Sequence, residues 1–283
     1  MQIQTICVVG AGTMGRGIAQ VFAESGFEVI FYARRESGLR EGFDAIEKIL
    51  QSLVTKNRIL DCDAKTVLSR IQPTTTLENA AQADLVVETI AEDLHAKQEI
   101  FQKLEEICSR NTVLTSNTSS ISISGIAAAI KVPERVCGMH FFYPPSKMPV
   151  VEIPVARQTS PKTVSLIKGT VQRLSKTAIE TQETPGFVFN RLMIPMINEA
   201  AYLLMEGVAS REDIDAIMRL AASHKIGPLA LGDVIGLDVC LNIMENLHRE
   251  LGEDKYRPCP LLRRMVYANQ LGRKTGKGFY EYV

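Results

Sequence analysis

Charge of one sign is missing from this sequence. Its 32 Lys and Arg balance 32 Asp and Glu, for a formal net charge of zero. Proteins that hold nucleic acid or a membrane surface through their overall field carry a basic excess. Neither partner is expected here, although a local basic site for a phosphorylated ligand is compatible with zero net charge. Long hydrophobic runs are missing too: none approaches the roughly 20 residues needed to span a bilayer. The six cysteines, Cys7, Cys62, Cys108, Cys137, Cys240 and Cys259, are scattered, with no CxxC pair and no Cys/His cluster. That argues against a structural zinc site or any other metal site, and against a disulfide framework. Several of these thiols sit inside apolar runs, where cysteine packs as a small hydrophobe. Such usage suits a reducing compartment, so the expected location is cytoplasmic. No secretory signal pattern is visible; the N-terminus runs straight into a strand-like segment. Internal repeats and low-complexity tracts are absent as well.

What is present is the composition of a soluble globular protein, 46% apolar and 23% charged. A chain of 283 residues makes one large domain or two ordinary ones. Residues 3–9 read as a short buried strand. Gly10-Ala11-Gly12-Thr13-Met14-Gly15 follows, then a helical stretch that stops at Ser25-Gly26, then a second strand over residues 27–32. A strand, a GxGxxG loop, a helix and a strand form a dinucleotide-binding unit. The first glycine makes the tight turn, the second admits the pyrophosphate, and the third lets helix and strand pack. The phosphates then meet the helix N-terminus, whose amides and dipole favour negative charge. A glycine-rich turn that only packs is the plainer reading of the loop.

An NAD site carries Asp or Glu at the end of the second strand, to bond the ribose hydroxyls. Here the position is Ala33, followed by Arg34 and Arg35. Guanidinium groups attract a 2′-phosphate that a carboxylate would repel. The expectation is a preference for NADP(H), with NAD(H) as the alternative in which both arginines are solvated surface charges.

Apolar residues at helical spacing follow over residues 39–54, ending near Lys56-Asn57-Arg58. Residues 84–90 form another buried strand, ending at Ala91-Glu92-Asp93. An amphipathic helix passes through Lys97, Ile100, Leu104 and Ile107. The next strand, residues 112–115, runs into Ser116-Asn117-Thr118-Ser119-Ser120. Hydroxyls and an amide at the carboxyl end of a parallel strand stand where ligands bind in such sheets, and they also suit a helix N-cap. Residues 135–142 read as one more strand, carrying His140 to the same sheet edge. Strands alternating with helices predict a doubly wound, mostly parallel Rossmann-type α/β sheet.

His140 ends an apolar run, Met139-His140-Phe141-Phe142-Tyr143-Pro144-Pro145, and Glu152 stands on the next one. A histidine that moves a proton needs a partner to set its tautomer and stabilise its charged form. Alone, the stretch reads more simply as a core histidine satisfied by backbone. The nucleotide loop and the Ser119 turn reverse that judgement.

Glu183-Thr184-Pro185-Gly186 breaks the pattern. The expected division is 1–183, a dinucleotide-binding domain carrying the histidine, and 184–283, a smaller all-α domain that covers the cleft and meets a second subunit. Asn190 and Arg191 stand near the start of its long first helix. Ser210, with Asp213 three residues on, predicts the cap of the next. The chain closes with Gly272-Arg273-Lys274-Thr275-Gly276-Lys277-Gly278-Phe279-Tyr280.

The set GAGTMGRGIA, SNTSS, MHFF, Glu152, TPGFVFNR and GRKTGKGFY resembles the 3-hydroxyacyl-CoA dehydrogenases over the whole chain, and in particular the short-chain bacterial 3-hydroxybutyryl-CoA dehydrogenases of butyrate metabolism. The resemblance implies a catalytic pair at His140 and Glu152. It also implies substrate contacts at Ser119 and Asn190 and a coenzyme A contact at Lys56. Cofactor contacts are implied at the glycine loop, Glu92, Lys97 and Lys274, with Asn117 and Arg34 joining them from the reading above. It further implies acetoacetyl-CoA and 3-hydroxybutyryl-CoA as the reacting pair, the L (S) alcohol, and a homodimer through the helical domain. Two positions depart from the family pattern: the strand-end acid is Ala33, and the Asn of HFFNP is Tyr143. Two other functions share the fold: a dehydrogenase of small 3-hydroxy acids without coenzyme A, and a non-catalytic protein like the lens crystallins that resemble this family.

Overall fold

The computed structural model describes residues 3–282. Its contacts divide the chain after Glu183 into two compact units. In the first unit, β1 (Thr5–Val9), α1 (Thr13–Glu24), β2 (Glu28–Tyr32), α2 (Glu36–Thr55), α3 (Asp61–Ser69) and β3 (Ile71–Thr74) come in order. Then follow β4 (Leu85–Glu88), α4 (Leu94–Ile107), β5 (Val113–Ser116), α5 (Ile123–Ala127) and β6 (Val136–Gly138). The six strands form one parallel sheet in the order β3-β2-β1-β4-β5-β6. The strand order reverses between β1 and β4, and a sheet of this kind binds ligands in the crevice at such a switch point. The inner strands are mostly apolar because helices cover both faces, with polar residues such as Glu88 and Ser116 at their carboxyl ends. Pro73 lies in β3, at the sheet edge, where a missing amide costs least.

The expected strand over residues 135–142 is divided. β6 ends at Gly138, and β7 (His140–Phe141) belongs to a second sheet with β8 (Val150–Val155) and β9 (Thr177–Gln182). β7 pairs antiparallel with β8, so His140 does not sit on the edge of the large sheet. The break coincides with a close approach of two strands. A Cβ on Gly138 would lie 2.3 Å from Pro154 Cγ, so β8 crosses over the backbone there and captures the next residues. Both parts are apolar, so the hydrophobic pattern runs through the break without a mark. α6 (Pro161–Arg173) connects β8 to β9. One core serves both sheets, with Val8, Phe22, Phe31, Met139, Phe141 and Ile153 among its buried members. Phe22 of α1 meets Phe141 edge to face at 6.2 Å, which ties the helix after the glycine loop to the histidine strand.

The second unit is helical: α7 (Phe189–Met205), α8 (Arg211–Leu220), α9 (Pro228–Ile235), α10 (Leu237–Leu251) and α11 (Pro260–Tyr267). Ser210 caps α8 as its spacing predicts, its Oγ accepting from the Asp213 amide at 3.1 Å. Asp215 caps α9 from a distance, accepting from the Leu229 and Ala230 amides at 2.8 and 2.9 Å. Buried Asp233 accepts from the amides of Phe279 and Tyr280, both at 2.9 Å, and so fastens the closing glycine-rich segment. Among the described residues, no helix is long and apolar enough to cross a membrane.

Candidate active site

The loop after β1 shows why its glycines are where they are. Gly10 has φ +117°, and a Cβ on it would lie 2.7 Å from Thr89 Oγ1. A Cβ on Gly15 would sit 1.8 Å from the Gly10 carbonyl oxygen. Gly12 differs, because nothing stands within 4 Å of its Cβ position. It N-caps α1 without a side-chain bond, and the first turn holds no acid. First-turn amides with open space in front of them suit a pyrophosphate. Ala11 and Met14 pack against the core, and Thr13 is exposed. Ala33 is buried at the end of β2, with Arg34 and Arg35 exposed beside it.

At the ends of β4 and β5 the register pairs Glu88 with Ser116. Glu88 is fully buried and well supplied with donors: Lys97 Nζ at 2.7 Å, the Ile90 amide at 2.6 Å and Ser116 Oγ at 2.6 Å. Lys97 is also fully buried and lies 3.5 Å from Glu92 Oε2. Glu92 Oε1 in turn accepts from Thr118 Oγ1 at 2.5 Å, from the Ser119 and Ser120 amides at 3.0 Å, and from Ser120 Oγ at 2.9 Å. Burial pushes the Glu92 carboxyl up. The Lys97 ammonium and the hydrogen bonds from Thr118, Ser120 and Ser119 outweigh it and hold the group below the usual carboxylate range. Lys97 and Glu92 thus form the support of the Ser119 turn. Glu88, which this support needs, escapes notice in the sequence. Its only signal is a carboxylate closing an otherwise apolar strand.

Asn117 links the turn to the histidine. Its Oδ1 accepts from the Phe141 amide at 2.8 Å. His140 and Glu152 are direct cross-strand partners, and Nδ1 lies 2.8 Å from Oε2 with both side chains at least nine-tenths buried. A carboxylate only accepts, so Nδ1 carries the proton and Nε2 is the basic nitrogen. The Phe142 ring packs on the imidazole at 4.7 Å between centroids. Lys176 Nζ donates to the Pro145 and Met148 carbonyls at 2.8 and 2.7 Å, holding the loop beyond Tyr143, which is itself exposed.

The first unit therefore assembles the glycine loop, Glu92, Lys97, Asn117, the Ser119 turn, His140 and Glu152. Lys56 is exposed at the C-cap of α2. Asn190 and Lys274 belong to the second unit. Asn190 is buried in the first turn of α7, and Lys274 Nζ is paired with Asp238 at 2.6 Å.

Residues 5–184 match the model of the 3-hydroxyacyl-CoA dehydrogenase NAD-binding domain, and residues 186–282 match the model of that family's C-terminal domain. The chain belongs to the 3-hydroxyacyl-CoA dehydrogenase family. Its first unit is accordingly a nicotinamide dinucleotide-binding domain, and the loop geometry fits that ligand. A probable 3-hydroxybutyryl-CoA dehydrogenase of Bacillus subtilis is 48% identical over 282 residues, spanning 100% of this chain and 98% of the relative. The 3-hydroxybutyryl-CoA dehydrogenase of Clostridioides difficile is 44% identical over 98% of this chain and 99% of its own. Among solved structures, the (S)-3-hydroxybutyryl-CoA dehydrogenase of Ralstonia eutropha superposes with a TM-score of 0.96 at 41% identity, covering all of both chains. Within this 3-hydroxyacyl-CoA dehydrogenase, the expected α/β sheet and helical second part both stand as read from the sequence.

Proposed function

We propose that this dehydrogenase interconverts (S)-3-hydroxybutyryl-CoA and acetoacetyl-CoA. The observation that carries the proposal is the buried His140–Glu152 pair, with Nδ1 engaged by the carboxylate, which makes Nε2 the basic nitrogen. The substrate assignment is supported by the relatives that bear this name at 44–48% identity. When bound, the nicotinamide dinucleotide supplies the hydride acceptor or donor for C3. His140 Nε2 takes the hydroxyl proton during oxidation and returns it during reduction. Glu152 orients the ring and stabilises the imidazolium, acid–base help of roughly 10²–10⁴ in rate. Ser119 and Asn190 bond the C3 oxygen and the thioester carbonyl, which holds the reacting carbon in place. Glu92 and Lys97 serve the cofactor side through the turn they support, Asn117 through its link to Phe141, and Lys274 from the second unit. Lys56 meets the coenzyme A moiety.

The missing acid at Ala33 and the exposed pair Arg34 and Arg35 favour a 2′-phosphate, so NADP(H) is the preferred cofactor and NAD(H) the weaker one. The helical unit covers the substrate and pairs two chains into a homodimer, and the protein works in the cytoplasm. The test is initial rates with acetoacetyl-CoA and either NADPH or NADH, for the native chain and His140→Gln. Turnover that favours NADPH and is lost in the variant, with nucleotide affinity kept, is expected. A clear NADH preference overturns the role of Arg34 and Arg35. Substantial turnover in the variant overturns that of His140.

A further inference from the structure

The segment from Asn117 to Ser124 is held by carboxylates from two sides. Glu92 takes the donors of Thr118, Ser119 and Ser120. The other carboxylate is Glu183. Its Oε1 accepts from Ser122 Oγ at 2.6 Å and from the Ser124 amide at 3.0 Å. Its Oε2 accepts from the same amide at 3.1 Å and from Ser124 Oγ. Ser122 Oγ is at the same time the N-cap of α5, accepting from the Gly125 amide at 2.9 Å. Ser124 Oγ accepts from the Arg157 amide at 3.1 Å, in the loop that leaves the strand of Glu152. One side chain thus joins three things: the helix start that follows the Ser119 turn, the loop after β8, and the end of β9. It is also the last residue of the first unit, followed directly by Thr184-Pro185-Gly186.

From this geometry we infer that Glu183 is a positioning residue for the Ser119 turn. The inference rests on the reading of Ser119 as a substrate contact. The turn is made of small polar residues with much backbone freedom, and every residue left to be ordered by substrate weakens binding. Bonds to a carboxylate are about twice as strong as neutral ones, and Glu183 accepts from three donors on Ser122 and Ser124. With Glu92 ordering one end and Glu183 the other, Ser119 is set before substrate arrives. Because the chain leaves the unit directly after Glu183, the same clamp fixes the point of departure.

The full chain with Glu183→Ala, Ser124→Ala and both together provides the test. The readouts are KM and kcat for acetoacetyl-CoA, cofactor affinity by nucleotide fluorescence, and amide exchange over residues 118–125. In Glu183→Ala, KM is expected to rise about tenfold while kcat changes less than about threefold, with cofactor affinity kept and exchange at Ser124 and Gly125 faster. Ser124→Ala should raise KM by a smaller factor, and the double variant should fall short of the sum of the two, because the bond between Ser124 Oγ and Glu183 is common to both. An unchanged KM with faster exchange makes the clamp merely structural and overturns the proposal; so does a loss of cofactor affinity equal to the loss in KM. If Glu183→Ala does not yield folded protein, Ser124→Ala decides by the same readouts. No turnover of acetoacetyl-CoA by the native chain sinks the assigned reaction instead, and the exchange data then decide whether Glu183 orders the turn.

Discussion

His140 and Glu92 are held by opposite kinds of partner. His140 has one carboxylate on Nδ1, so its environment selects a tautomer. Glu92 receives five donors on one oxygen, from three consecutive residues, and a lysine stands behind the other oxygen. Its folded carboxyl titrates below the ordinary value of 4.5. A depressed carboxyl stabilises the fold above that ordinary value, and the gain fades as pH falls below it. Glu92→Gln should therefore melt below the native chain at pH 7, with the gap shrinking in acid; thermal denaturation at pH 7 and pH 4 measures both. A gap that widens in acid contradicts the sign. His140 was visible in the sequence as a member of a motif, and Glu92 as a cofactor contact that the resemblance implies. That Glu92 reaches under the serine turn was not, because its partners come 26 to 28 residues later.

At the scale of elements, β4 and α1 carry the strictest demands. The end of β4 buries Glu88 and Lys97 as a pair, each fully desolvated. Removing one member leaves the other charged and unpaired, at a cost of about 3–5 kcal/mol. Lys97→Met is expected to lose that much stability in urea denaturation and to disorder the Ser119 turn. A change under about 1 kcal/mol would mean that Ser116 and the Ile90 amide suffice for Glu88. The glycine loop was legible because its demands are local: a turn, an approach and a packing contact within six residues. The division of residues 135–142 between two sheets was not, because the deciding contact is Gly138 against Pro154, residues from different strands. β9 was missed for a related reason. Its residues are mostly exposed, so no apolar alternation marks it.

For the whole molecule, the second unit presents Leu192 at 71% and Leu220 at 84% exposure, with Ile217 and Val208 also open. The proposed homodimer through this unit would cover such side chains. Leu192→Glu with Leu220→Glu should convert a dimer to a monomer in sedimentation, while the fold of each unit survives. A native chain that sediments as a monomer would refute the proposal. The sequence by itself determined the dinucleotide loop, the alternation that makes the sheet and the helical end, and it put His140 and Glu152 on neighbouring apolar segments. These rest on periodicity and on motifs whose chemistry is complete within a few residues. Only the tertiary structure decided that His140 and Glu152 face each other across two antiparallel strands, that Lys97 is buried on Glu88, and that Glu183 clamps the serine turn. Each of those depends on which distant segments pack together, and packing is set by shape and buried area that no local spacing encodes.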